Sequence, residues 1–419
     1  MRRVSFRRLR TALRLTPYRF WLVALAVLIA AGAASGVMVL SRGLVVTNLN
    51  DLVPWGLWIT IDLSAIAVSA GAFLLCAAVY LLGLRHLQPL ARTATFLGLI
   101  GYSMAVLTLL LDIGRPDRFW HALVYWNPHS VLWEVTMCVT LYFSVLLLET
   151  APIFGRTSWL RRRWPKLSLS MQSLHRLAPY LAVAGLGLSM LHQSSLGATY
   201  GVLKARPIWY RPDLSVLFIV SAMAAGPALT VLVTMLAARL HRGSRVDDGL
   251  LEKVARFIGW VLVGYLYFRF WDAFAMTYTY EPGRTEGLRF ITGGPLSFNF
   301  WVGEVLLGAV IPLVLLLHKP WRANPRLRML ALGLVVAGLV AYRWDTTMAG
   351  QLVIVSYFPQ GLAPSYTTYV PSLIESLSGI GIVAYGALAV TLGIRHLGVV
   401  DHTPEPEHEA AAEPVPALA

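Results

Sequence analysis

Two cysteines, Cys76 and Cys138, are all that this 419-residue chain holds, and both fall inside long apolar runs. An iron–sulfur cluster usually takes four cysteinyl ligands, and covalently attached haem takes a C-x-x-C-H run. Neither can be built from this chain. Histidine is hardly richer: of ten, only His192 sits clearly inside an apolar segment. His86, His121, His129, His175, His241, His318 and His396 fall at segment ends or between segments, and His402 and His408 lie near the C-terminal end. A membrane b-type haem needs axial histidines facing each other across helices, so no haem is expected. There is no Walker loop and no G-x-G-x-x-G after a strand, which leaves nucleotide chemistry without support. Charge is scarce too, at 13% of residues. Only four of the 35 basic residues are lysine, the compositional mark of a GC-rich bacterial genome.

What is present is apolar. Hydrophobic residues make up 57% of the chain, and a helix needs roughly 20 of them in a row to cross a bilayer. Ten stretches have about that length: 20–41, 55–83, 90–112, 129–151, 174–195, 213–240, 252–276, 297–318, 326–345 and 371–396. None alternates apolar and polar residues as a membrane barrel strand does. The connections are too short for a globular domain. The expected fold is therefore all-α, a polytopic membrane protein of about ten transmembrane helices. It divides into a basic N-terminal segment (1–19), an integral membrane domain (20–397) and a disordered tail rich in Pro, Ala and Glu (398–419).

The basic residues orient it. With the N-terminus taken as cytoplasmic, 25 fall on that side, nine on the other, and Arg269 alone lies inside a helix. The positive-inside rule then places both termini in the cytoplasm of a bacterial inner membrane. The net charge of +14 is a topology signal rather than a nucleic-acid signal. The first apolar run, preceded by RRVSFRRL, reads either as a cleaved export signal or as an uncleaved helix; its full membrane length favours the helix.

Ionisable groups inside membrane segments are costly and mark functional sites by default. On this orientation Asp62, Glu134, Glu304 and Glu375 lie near the outer ends of their segments, with Asp62 on the order of 10 Å deep. His192, Asp112, Asp272 and Asp345 approach the same side, and only Glu149 lies near the inner end. At ~100° per residue, Glu134, Cys138, Tyr142 and Glu149 share one stripe about 22 Å long, a route for protons across the fourth segment. Structural readings stand beside these. Asp112 and Arg115 form an ion pair at a helix end, Trp55 and Trp58 belong to an interfacial belt, His192 is packing glue, Arg269 and Asp272 pair privately, and Glu149 is an interfacial residue. Glu134 has no basic neighbour on its own helix face.

The runs NLNDLVPWGLWITIDLSA, GYSMAVLTLLLDIGRPDRFW, NPHSVLWEVTMCVTLYFSVLLLETAP, LHQSSLG and FWVGEVLLGAVIPLVLL resemble the NrfD/polysulfide-reductase membrane-subunit family. Within it the chain is similar to the HybB branch, the large membrane subunit of type-2 nickel–iron hydrogenases and related complexes. The resemblance covers about 50–400. It implies two four-helix bundles plus flanking helices and a cofactor-free subunit that reacts with quinone near the outer face. Electrons would come from an iron–sulfur partner docked there, itself joined to a hydrogenase or other catalytic subunit. Carried onto matching positions, it points to Trp55, Asp62, Tyr102, Asp112, Arg115, Glu134, Glu149 and His192.

The expected function is electron exchange between an extracytoplasmic ferredoxin-like iron–sulfur subunit and menaquinone or ubiquinone. His192 and Tyr102 would bind the ring, and Asp62 and Glu134 would give or take protons. Glu149 would take up protons from inside, and Asp112 and Arg115 would shape the outer mouth. Alone the chain should catalyse nothing. Two other readings stay open: a proton- or ion-coupled secondary transporter, and an anchor without quinone chemistry.

Overall fold

The computed structural model describes residues 16–240, 246–278, 281–359 and 361–400. Most of the basic N-terminal segment and the tail beyond residue 400 lie outside them. Ten long helices follow one another: α1 (Pro17–Arg42), α2 (Leu57–Tyr80), α3 (Gln88–Asp112), α4 (Val131–Gly155), α5 (Ala178–Gly201), α6 (Asp213–Leu240), α7 (Asp248–Tyr278), α8 (Asn299–Leu317), α9 (Pro325–Leu352) and α10 (Leu373–His396). Among the described residues, nine helices are long and apolar enough to cross a membrane. The exception, α7, carries Glu252, Lys253, Arg256, Arg269 and Asp272 along its length, which dilutes its apolar character without shortening it. The chain is a multi-pass, all-α membrane protein.

Several starts are written locally. Thr16 and Ser130 accept hydrogen bonds from Arg19 N and Trp133 N, and Asn324 caps α9 just ahead of Pro325. Ser372 and Glu375 form a reciprocal capping box at α10.

Helices α2–α5 and α6–α9 form two bundles, joined chiefly where α2 crosses α6. A Cβ built on Gly71 or on Gly226 would stand 2.1 Å from the other's Cα, so only glycine allows this crossing. Helices α1 and α10 pair outside the bundles and lean on α3.

Four features depart from the expected layout. Helix α9 continues past 345 to Leu352, which buries Arg343 and Asp345 completely within it. Arg343 is thus a bundle-interior charge rather than a loop charge, and Arg269 is not alone inside a helix. Arg211, also expected in an outer loop, is 9% exposed. On the opposite face Arg322 and Arg328 are buried against Glu252 (3.2 Å) and Asp248. The second departure is a two-stranded antiparallel hairpin within the connection expected over 346–370, Val353–Phe358 with Gly361–Tyr366. Third, α8 is π-helical over Asn299–Val310. Pro312 lies two residues beyond it; its ring crowds the carbonyl one turn earlier and it donates no hydrogen bond, which loosens the preceding ladder. Last, Val399 and Val400 pack on α3, and Thr93 Oγ1 donates to Val399 O (2.7 Å), so the folded body reaches past 397.

Candidate functional site

The first bundle brings Tyr102 of α3 and His192 of α5 together at its centre. Both are fully buried, and the Tyr102 hydroxyl lies 2.5 Å from His192 Nδ1. The other ring nitrogen, Nε2, is buried with no partner. Tyr142 of α4 stands edge-on to Tyr102 with ring centroids 4.5 Å apart, and Phe73 of α2 packs behind it at 4.8 Å. One turn along α5 from His192, Ser195 Oγ donates to Glu134 Oε1 at 2.8 Å. Glu134 sits in the first turn of α4, where the helix dipole favours a carboxylate. Of the α4 stripe, Cys138 (3% exposed) and Tyr142 (0%) are buried, while Glu134 and Glu149 at its two ends are half-buried.

Asp62 approaches from α2, 3% exposed, with Oδ1 unpartnered. Asp112 lies within charge–charge reach of it and also keeps a buried oxygen without a partner. Glu375 stands behind Asp112. Glu375 itself is occupied: it takes the Tyr369 hydroxyl and the backbone N–H groups of Asn48 (2.9 Å) and Ser372 (2.8 Å). Trp55 is clamped by Gln351 through both backbone groups and packs on Tyr200 and Trp209, roofing this corner. Trp58 is 1% exposed and donates to Ser378, so it is not a belt residue. Arg115 is not brought to the cluster. It is exposed and paired with Asp117 at 3.0 Å, leaving Asp112 alone.

At the other end of α4, Glu149 keeps Oε2 buried without a partner. It borders a cavity of about 80 Å³ lined also by Cys76, Arg92, Arg156 and His175. Cys76 Sγ lies 3.2 Å from Thr95 Oγ1 beside it. From this cavity to His192, the Glu149, Cys76, Tyr142, Tyr102 series follows one face of the bundle interior.

The second bundle holds a larger charge network than its sequence suggests. Arg269 and Asp272 do pair (2.6 Å), but not privately. Arg269 also holds Glu304 (2.7 Å), Tyr265 donates to Glu304 (2.8 Å), and Arg211 reaches Asp272 (2.5 Å). Arg343 has no carboxylate partner among the described residues. It lies 3.6 Å over the Phe218 ring and donates to Gln193 Oε1, Phe218 O and Ser221 Oγ, with Nε and one terminal nitrogen unpartnered. Gln193 is the residue after His192, so this cation meets the first bundle next to the Tyr–His pair. Recognising that 346–352 continues the α9 helix would have turned Arg343 inward.

His192 is the one described histidine in the interior of a long helix, since His396 only closes α10, and its Nδ1 is taken by Tyr102.

Residues 45–355 match the family described as polysulphide reductase, NrfD. The chain is 33% identical to the menaquinone reductase integral membrane subunit of Nitratidesulfovibrio vulgaris over 92% of each protein. It is 27% identical to a selenate reductase subunit of Mesobacillus selenatarsenatis, covering 90% of this chain and 93% of that one. A probable Ni/Fe-hydrogenase 2 b-type cytochrome subunit of Escherichia coli is 30% identical, over 87% and 88%. With the family matched over most of its length, and with full-length relatives of that identity, the chain belongs to the polysulphide reductase NrfD family.

Proposed function

We propose that this chain is the quinone-reactive integral membrane subunit of a respiratory oxidoreductase, and that it carries no redox cofactor of its own. It exchanges electrons between an extracytoplasmic ferredoxin-like iron–sulfur subunit, joined to a catalytic subunit, and menaquinone or ubiquinone. The observation that carries this is the buried Tyr102–His192 pair with a free Nε2, flanked by Asp62 and Glu134. Reducing a quinone to a quinol takes two electrons and two protons. The electrons come from the partner; the chain's residues supply the protons and hold the ring. When Tyr102 donates to Nδ1, Nε2 carries the hydrogen and donates to a ring carbonyl. As Nε2 gives its proton up, Nδ1 takes the Tyr102 proton, which leaves the neutral Nδ1–H tautomer beside a phenolate that a proton arriving from the Glu149 side must restore before the next turnover. In the oxidising direction the same pair accepts. Asp62 and Glu134 are the carboxyl groups that serve the second oxygen, and Glu149 with its cavity takes up protons from the cytoplasm.

A transporter would need embedded charges available to cargo. Here Arg269, Glu304, Asp272 and Arg211 are closed on one another, and the embedded groups left open, Asp62, Asp112 and Arg343, gather around the Tyr102–His192 pair, which favours the redox reading.

Glu134→Gln keeps shape and hydrogen bonding but removes an exchangeable acid proton. The assembled complex should keep turnover with a soluble electron dye and lose most quinone-linked turnover, and Asp62→Asn should match it. Glu149→Gln should leave quinone binding intact while slowing turnover. Wild-type quinone turnover in Glu134→Gln makes that carboxylate a helix-dipole residue and moves the chemistry elsewhere.

Orientation is part of the proposal: an inner-membrane protein with both termini cytoplasmic. Reporter fusions at Arg163 and Arg206 should report opposite sides; the same side for both defeats the ten-helix arrangement.

A further inference from the structure

Beside the second bundle, at the end where α9 finishes and α10 begins, lies a cleft of about 870 Å³, within the range of small-molecule pockets. Its walls are Phe290, Leu296, Trp344, Met348 and Leu352, and the far side is the chain from Tyr366 to Val370. Around the mouth, Phe298 (76%), Val370 (71%) and Leu373 (74%) present bare apolar side chains. Trp301 is half exposed, with its indole N–H on Thr292 O (2.9 Å). In water such a patch is a liability, whereas at a membrane boundary it is the aromatic girdle that contacts lipid.

Two charged side chains interrupt the apolar lining, Arg289 and Glu286. Arg289 ends the short helix Arg284–Thr292, is exposed, and has no carboxylate partner among the described residues. Glu286, one turn earlier, is turned back to Gly283 N (2.7 Å). The cleft is also walled off from the quinone site. Tyr369 forms the wall, donating to Glu375 and accepting from Leu57 N (3.1 Å). Burial first, and the Glu375 carboxylate second, push the Tyr369 phenol well above its ordinary value, so it remains the donor in this contact.

We propose that this cleft holds one phospholipid of the adjoining leaflet. Its phosphate sits at Arg289 and an acyl chain lies along Phe290, Leu296, Met348 and Leu352. A quinone brings no anion to meet Arg289, and Tyr369 denies it passage to His192. The lipid therefore fills the groove between the 286–296 segment, the end of α9 and the chain at 366–370 as a fixed part of the wall.

Two variants test this in the purified complex. Arg289→Glu reverses the charge. Gly293→Leu fills the cleft from a residue at φ −137°, where a Cβ would meet only Arg289 O at 3.7 Å. Native mass spectrometry of the detergent-washed wild type should show one retained phospholipid per chain. Each variant should lower its occupancy at least about tenfold, or about 1.4 kcal/mol of affinity. Phospholipid with brominated acyl chains should quench the fluorescence component that Trp344→Phe removes. Equal retention in all three proteins overturns the proposal. So does recovery of quinone in place of phospholipid, or a Trp344 that brominated chains cannot reach because a partner subunit seals the cleft. Should Gly293→Leu fail to fold, the surface change Arg289→Glu decides alone.

Discussion

Replacing His192 by phenylalanine is expected to cut quinone-linked turnover of the assembled complex by about 10²–10⁴-fold, the usual weight of a positioned acid–base group. Dye-linked turnover of the partner should be untouched. Phenylalanine fills the same space, so any structural cost comes from stranding the Tyr102 hydroxyl in the bundle core, about 1–3 kcal/mol. Tyr102→Phe should produce a comparable kinetic loss, because the pair works as one relay through the 2.5 Å contact. The double variant should then be little worse than either single one, since groups that act as a unit are not additive. Quinone turnover and thermal stability of the three variants, measured side by side, separate the relay from packing. If the stabilities fall while quinone turnover per folded complex does not, His192 is glue between helices.

Arg269→Met should be the most destabilising single change in the second bundle. It leaves Glu304, 1% exposed, without its cation, and removes one of two cations from Asp272. Breaking a buried ion pair from one side costs about 3–5 kcal/mol. The melting transition in detergent should fall sharply and monodisperse yield with it. Adding Glu304→Gln should recover much of the loss, because the stranded charge is gone while Tyr265 keeps an acceptor, and Asp272 still has Arg211 at 2.5 Å. A double variant as unstable as the single one means the network holds α7 and α8 by more than charge cancellation. Recovered stability without quinone turnover gives the network a role in the chemistry.

Much of this was legible in the sequence because bilayer physics leaves few choices. Apolar run length fixed the helix count, and the pair of bundles follows the family resemblance. His192, Asp62 and Glu134 stood out because ionisable groups in apolar segments are rare, whereas Tyr102 came only from the family resemblance. What the sequence hid was partnership. Asp112 and Arg115 are three apart and read as a pair, yet a 3₁₀ turn at Pro116–Arg118 hands Arg115 to Asp117 instead. Arg343 looked like a loop residue because hydropathy falls after Leu339, although α9 runs on for several turns with its polar residues facing inward. The hairpin over 353–366 was missed for a related reason: a two-stranded ribbon is a weak signal in a chain whose every other element is helical.

The pairing of α1 with α10 has a consequence for how the protein is made. The residues α1 buries, Leu25, Gly32, Ser35 and Val39, lie on a helix whose main neighbour is the last one in the chain, with Gly32 and Gly381 in backbone contact at the crossing. At about 5–20 residues per second, the ribosome reaches α10 roughly 20–70 s after α1 has left it. Through that interval α1 has only its slight contact with the first bundle, and lipid covers the face that α10 will take. Its near-uniform apolar surface suits that wait, and the order of synthesis makes α1, which leaves the ribosome before the helices of both bundles, late to find its place.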